Sequence, residues 1–309
     1  MFGSATGPAG AAALPGPLQR RLDATAAAFI RPAGAPEVDF SKPKGEPALV
    51  PFDSVSWRLF KSPIPLFIGG IAAVLLEFGE PRVRDGVWQH SDFRDNALQR
   101  LQRTGLAAMI TVYGPHSLAR TLIAGVVRRH GAVTGQTADG QTYDANDPEL
   151  LTWVQATAGY GFTEAYHAFV HPLSRKERAA LLVEGLPAAH LYGATTMPGT
   201  LAEYEALFET MRDRLEPSPI VGEFLAIMNR VPAFPLPLRP FQRLLVRAAV
   251  DILPDWARAR LGLQRKRLRP WQRALVRFAA RKADRVLIRS SPAVQACRRM
   301  GLPDDYLYR

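Results

Sequence analysis

From about residue 50 onward, apolar residues recur every three to four positions and nowhere sustain an alternating pattern. A chain with that period must bury helical stripes against one another, and an extended-strand core does not fit it. Ile71, Val74, Leu75 and Phe78 fall at i, i+3, i+4 and i+7, and Pro81 stops that helix soon after Gly79. The most apolar run, Ile64 to Leu76, contains Pro65, Gly69 and Gly70 and closes at Glu77. A bilayer span takes about 20 residues, so this shorter run reads as a buried core helix.

Start signals recur along the chain. Ser91 or Asp92 suits the cap of a short segment, and Asp95 or Asn96 the cap of the next helix, which holds Leu98, Leu101, Leu106 and Met109. Another helix runs from Leu118 to about His130. Gly131 and Gly135 then open a turn region that ends at Asp147-Pro148, where proline suits the first helical position after an aspartate cap. Ser174 with Glu177 and Thr200 with Glu203 are spaced as capping boxes. Helices are expected near 241–252, 255–262 and 270–282. The fold class is therefore all-α: one multi-helix globular domain with a helical C-terminal extension.

With 309 residues, 47% of them hydrophobic, the chain can build one sizeable core. Three segments are expected. Residues 1–48, rich in Ala, Gly and Pro, read as a flexible arm. Residues 49–230 form the core. Residues 231–309 begin with four prolines within ten positions and continue as a basic helical segment packed on the core. The net charge of +11 is concentrated there: from Arg239 to Arg309 there are 18 Lys and Arg against 5 Asp and Glu. Such a tail can meet anionic lipid, nucleic acid or an acidic partner, or be a solvated face whose apolar side docks on the body. No nucleic-acid motif accompanies it, which sets nucleic acid below a peripheral membrane contact. In that contact Trp256, Leu261, Leu263, Trp271, Leu275, Val276 and Phe278 would dip into the interface beside the arginines. The opening residues lack a basic stretch before an apolar core, so the chain reads as cytoplasmic, with a membrane-peripheral place kept open. Cys297 alone excludes an intramolecular disulfide framework and is expected to be a half-exposed thiol without a role.

Six histidines are present, without a zinc-binding HExxH pattern or a cysteine pair. His167 and His171 stand at i, i+4, but Pro172 ends the helix there. No glycine-rich nucleotide loop or GxSxG elbow occurs. Arg100 and Thr104 share a helix face with Arg103 beside them, a cluster suited to an anionic group or else to solvent. His130 lies between an apolar helix and the small residues Gly131, Ala132 and Gly135. A flat cofactor can approach a histidine so placed, although a solvent-facing or internally satisfied ring fits the same pattern.

An ordered set of segments carries more than any of its pieces. It comprises Leu75-Leu76-Glu77-Phe78-Gly79-Glu80-Pro81, Gly86-Val87, His90-Ser91-Asp92-Phe93, Arg100-Leu101-Gln102-Arg103-Thr104 and Val112-Tyr113-Gly114. After these come His130, Val133, Gly135, Gly140, Tyr143-Asp144-Ala145, Asp147-Pro148 and Leu150-Leu151-Thr152-Trp153-Val154. Over roughly residues 60 to 215 this order resembles the catalytic domain of the MpaB and latex-clearing rubber oxygenase family. The resemblance implies an all-α fold around haem b, with His130 as the proximal iron ligand. It also places Arg100 and Thr104 beside the haem, and implies a haem-dependent dioxygenase that uses O2 on an apolar, isoprenoid or alkenyl substrate. Arg103 stands where relatives carry a lysine that caps the distal iron position. An arginine stays protonated, so it is expected to pair with a propionate or to leave that position open. The catalytic carboxylate is expected at Glu77, with Glu80 as the alternative. A buried Glu77 needs a partner, for which His90, also counted among the cofactor contacts, and Arg100 are the candidates. The other readings are a non-enzymatic haem sensor or storage protein, and a membrane or nucleic-acid binder acting through the basic tail.

Overall fold

The computed structural model describes residues 37–309, together with residues 10, 11, 15–17, 19, 20, 23 and 24. Most of the arm expected over 1–48 lies outside the described residues.

Between Val55 and Arg299 thirteen α-helices and one two-stranded hairpin follow in order: α1 Val55–Phe60, α2 Pro63–Glu77, α3 Pro81–Gln89, α4 Ala97–Tyr113, α5 His116–His130, β1 Thr134–Gln136, β2 Thr142–Asp144, α6 Pro148–Phe169, α7 Arg175–Tyr192, α8 Leu201–Arg212, α9 Pro219–Arg230, α10 Arg239–Asp251, α11 Asp255–Arg260, α12 Pro270–Asp284 and α13 Pro292–Arg299. The all-α expectation holds. The hairpin is the addition. Its antiparallel register pairs Thr134 with Asp144, and Gly140 turns it at φ 86°. Three-residue strands are too short to show alternation, so the period gave no sign of them.

The central element is the pair α2 and α6. Pro63 opens α2 at its first position, and apolar side chains on nearly every face leave it buried all round. Asp147 caps α6 by accepting from the backbone N–H of Glu149 at 2.8 Å and of Leu150 at 3.3 Å. The two backbones meet at Gly69 and Gly161: a Cβ on Gly69 would lie 2.7 Å from the Gly161 carbonyl oxygen. Only a residue without a side chain permits that approach. Both expected capping boxes form, Ser174 with Glu177 on α7 and Thr200 with Glu203 on α8.

One apolar cluster runs from Leu59 in α1 to Ala280 in α12, so α10 and α12 share the core that α2 and α6 build. A second cluster gathers Phe40, Val50, Trp57, Tyr113 and Val294. Arg299, 1% exposed, fastens it by donating to the carbonyls of Phe40 at 2.7 Å, Glu46 at 2.8 Å and Tyr113 at 2.7 Å. Cys297 belongs to this cluster and is fully buried, not half-exposed; burial pushes its thiol up to about 12. The face expected to point outward from the tail is also corrected. Leu261, Leu263 and Val276 are buried and Trp256 packs on the core, whereas Trp271, Leu275 and Phe278 are exposed. No single helix among the described residues is long and apolar enough to cross a membrane; α2 and α3 pass that test only as a pair bent by 111°.

Candidate functional site

A cavity of about 1870 Å³ lies beside the α2–α6 pair, walled largely by apolar side chains such as Phe60, Val74, Leu101, Met109, Phe162 and Leu181. Four of the polar residues singled out in the sequence reach it: Glu77, Arg100, Thr104 and His130.

Glu77 is the last residue of α2. Its partial exposure is exposure into the cavity. Desolvation pushes its carboxyl up to about 7, against the opposing influence of a Thr157 hydroxyl bond at 3.4 Å and the Arg100 charge. Glu80 has another task. It caps α3, accepting from the Val83 backbone N–H at 2.9 Å and from Arg82 Nε at 2.8 Å. Its carboxylate is committed to the helix end, and of the two candidates Glu77 faces the cavity.

Arg100 and Thr104 occupy one face of α4, one turn apart. The Arg100 guanidinium lies over the Phe93 ring at 5.8 Å. Burial lowers its pKa and Glu77 opposes that effect, so each of the two groups favours the other's charged form. Arg103 does not reach the cavity. At i+3 from Arg100 it lies about 60° round α4 from that residue and is exposed.

His130 ends α5, where Gly131 stops the helix. Arg128, Arg129 and His130 in the last turn complement the helix dipole. Burial nevertheless lowers the pKa of the His130 ring, Arg129 lowers it further and Asp144 opposes, so the site favours the neutral ring. Its Nδ1 is buried without a hydrogen-bond partner. Asn146 lies close by: it donates from Nδ2 to the Val127 carbonyl at 3.2 Å, three residues before His130, and its own Oδ1 is also buried and unpartnered. His90 is elsewhere. It stands at the end of α3, with Nε2 3.1 Å from the Tyr143 hydroxyl of β2, and does not line the cavity.

Sequence reasoning missed Thr157, which is 80 positions from Glu77 and meets it only because α2 crosses α6. It also missed the cavity-lining ion pair Glu164–Arg178, split between α6 and α7, and Asn146. No local pattern marks any of these. His167, the other helical histidine considered, accepts at Nδ1 from the Leu173 backbone N–H at 2.9 Å and serves the turn after α6.

An imidazole, a carboxyl and a guanidinium reach one largely apolar cavity, the arrangement of a ligand-binding or catalytic site. The chain belongs to the family described as ER-bound oxygenase mpaB/B'/rubber oxygenase, catalytic domain, whose sequence model matches residues 57–281. That stretch contains all four cavity residues, and the protein is an oxidoreductase of the oxygenase kind. No curated protein and no solved structure matches the chain.

Proposed function

We propose that this oxygenase works with haem b ligated by His130 and uses O2 on an apolar substrate, for which an alkenyl or isoprenoid chain is the fitting class. The observation that carries the reading is the His130 ring, with Nδ1 buried and lacking a partner, on the wall of the cavity that also holds Glu77 and Arg100. The donor set suits haem. Among the described residues no group of three or more His, Cys, Asp or Glu is placed to hold a bare ion. A porphyrin brings its own equatorial nitrogens and asks the protein for a single axial ligand, commonly histidine. The cavity exceeds the roughly 300–1,000 Å³ of an ordinary ligand pocket, which leaves room for a cofactor and a substrate together.

Bound there, haem iron would supply O2 activation and the electron chemistry. The chain's own residues do the rest. His130 orients the cofactor through one ring nitrogen. Arg100 offers a fixed positive charge to a carboxylate of the cofactor or to developing negative charge. Glu77, at about 7, can take up or release a proton at its carboxyl near neutral pH. Apolar walls keep water from the reacting centre. A carrier or sensor has no use for such a carboxyl, which favours turnover over storage.

The test is the visible spectrum of protein produced with haem supplied, beside His130→Ala, followed by O2 uptake with squalene as an alkene probe. A Soret band present in the wild type and lost or shifted in the variant is expected. Colourless protein that also refuses added haemin would remove the reading.

A further inference from the structure

Three of the exposed apolar side chains of the C-terminal region, Leu238, Leu275 and Phe278, reach the cavity. On α12, Trp271 is 59% exposed, Leu275 42% and Phe278 62%. They stand at i, i+4 and i+7, so they form one stripe. Leu236 and Leu238, in the turn before α10, are 72% and 48% exposed. Leu238, Leu275 and Phe278 also line the cavity, so they form its rim. The opposite side of α12 is firmly seated. Val276 and Ala280 are buried, and Arg277 and Arg281 donate to the Ala168 and Val170 carbonyls at the end of α6. The stripe is therefore a fixed feature of a docked helix.

Cations surround it. Arg239, Arg243 and Arg247 follow one another at four-residue spacing on the exposed side of α10, which packs against α12. Lys282 and Arg285 continue the α12 stripe at its C-terminal end, with Lys282 5.6 Å from the Phe278 ring centre. Among the described residues none of these five has an acidic partner, and no acidic side chain lies on the exposed face of α12 between Trp271 and Lys282. By contrast, Arg267 and Arg273 are engaged with Asp251.

We propose that this rim docks on a bilayer surface that carries anionic lipid, with Trp271 and Phe278 entering the interface and the α10 and α12 cations meeting the headgroups. An apolar patch flanked by unpaired arginine and lysine has the composition of an interfacial element. A second copy of the chain would bring the same positive charge to the contact, and nucleic acid would leave the aromatic residues without a use. Docking at the mouth lets an apolar compound pass from the lipid into the cavity without crossing water. That consequence rests on the apolar-substrate reading, whereas the docking itself does not.

The experiment is co-sedimentation of the full-length protein with two kinds of vesicle, phosphatidylcholine alone and phosphatidylcholine with about one third phosphatidylserine, scanning Trp fluorescence in parallel. Variants are Trp271→Ser/Phe278→Ser and Arg239→Gln/Arg243→Gln/Arg247→Gln. These sites are exposed, so unchanged circular dichroism and melting serve as the fold control. The wild type is expected to pellet with the mixed vesicles at least tenfold more strongly than with the neutral ones. The apolar double variant should lose at least tenfold. The arginine triple variant should lose up to about fivefold per charge removed. Failure of the wild type to bind mixed vesicles overturns the proposal, as does binding untouched by the apolar double variant. So does self-association that the apolar variant abolishes in the absence of vesicle binding, or retention of a DNA duplex in place of vesicles. None of these readouts involves haem or turnover, so failure here and failure of the oxygenase reading are told apart.

Discussion

The buried charges of this protein fall into two groups with opposite surroundings. At the seams between helices they are saturated. Arg299 donates to three carbonyls, Lys61 donates to both the side chain and the backbone carbonyl of Asp284 at 2.6 and 2.7 Å, and Asp251 accepts from Arg273 at 2.6 Å. At three residues of the cavity wall, Glu77, Arg100 and His130, they are not. Glu77 has one long bond, His130 has a nitrogen without a partner, and the Arg100 guanidinium rests on an aromatic face. Saturated charge holds segments together, and unsaturated charge keeps interaction capacity in reserve for something that enters. The second arrangement costs stability, and where it faces a cavity it marks a binding wall.

The sharpest way to break this contrast is at a seam. Arg299→Leu removes one guanidinium and strands three carbonyls, which at roughly 1–3 kcal/mol for each well-buried group should cost several kcal/mol. Urea unfolding should show a large fall in midpoint. A change below about 1 kcal/mol would mean that saturation at the seams contributes little.

At the cavity the sign should reverse. The folded protein raises the Glu77 carboxyl from 4.5 to about 7. It therefore favours the protonated form, and its contribution is complete below pH 4.5 and lost as pH rises toward 7. Glu77→Gln should leave the cofactor-free protein unchanged near pH 4.5 and stabilise it at pH 8, by at most about 3 kcal/mol at 1.36 kcal/mol per unit. The same variant should abolish turnover if the carboxyl moves a proton. Destabilisation at pH 8 would place Glu77 with the seam residues.

A smaller effect is expected at Asn146. Its unpartnered Oδ1 and the unpartnered Nδ1 of His130 lie beside the same turn, and an axial histidine is usually oriented through its second nitrogen. Asn146→Ala should weaken haem retention about 10- to 100-fold while leaving the melting temperature of the cofactor-free protein nearly unchanged. Unaltered retention would separate the two groups.

The helix plan was legible because its signals are local. Asp147-Pro148, Ser174 with Glu177 and Thr200 with Glu203 each state a helix start within four residues, and each start stands where the sequence put it. The site was legible in part. Arg100 and Thr104 share a face because i+4 spacing guarantees it, whereas Arg103 at i+3 sits far enough round α4 to miss the cavity. The choice between Glu77 and Glu80 had an unread clue. Pro81 reads as the stop of one helix, but it is also the first residue of α3, which makes Glu80 its cap. His90 looked available from its position and is engaged with Tyr143, across a hairpin too short to foresee. Thr157 needed the α2–α6 crossing itself.

The Arg299 fastening also sets an order of events. The carbonyl of Glu46 and the guanidinium that holds it are separated by 253 positions. During synthesis the segment around Phe40 and Glu46 emerges early, and its anchor emerges only at the end of α13. The second cluster can therefore close only late, over a long loop, and a nascent chain stalled before residue 299 would expose Phe40, Trp57 and Tyr113. A helper that shields apolar surface on unfinished chains would find its target there.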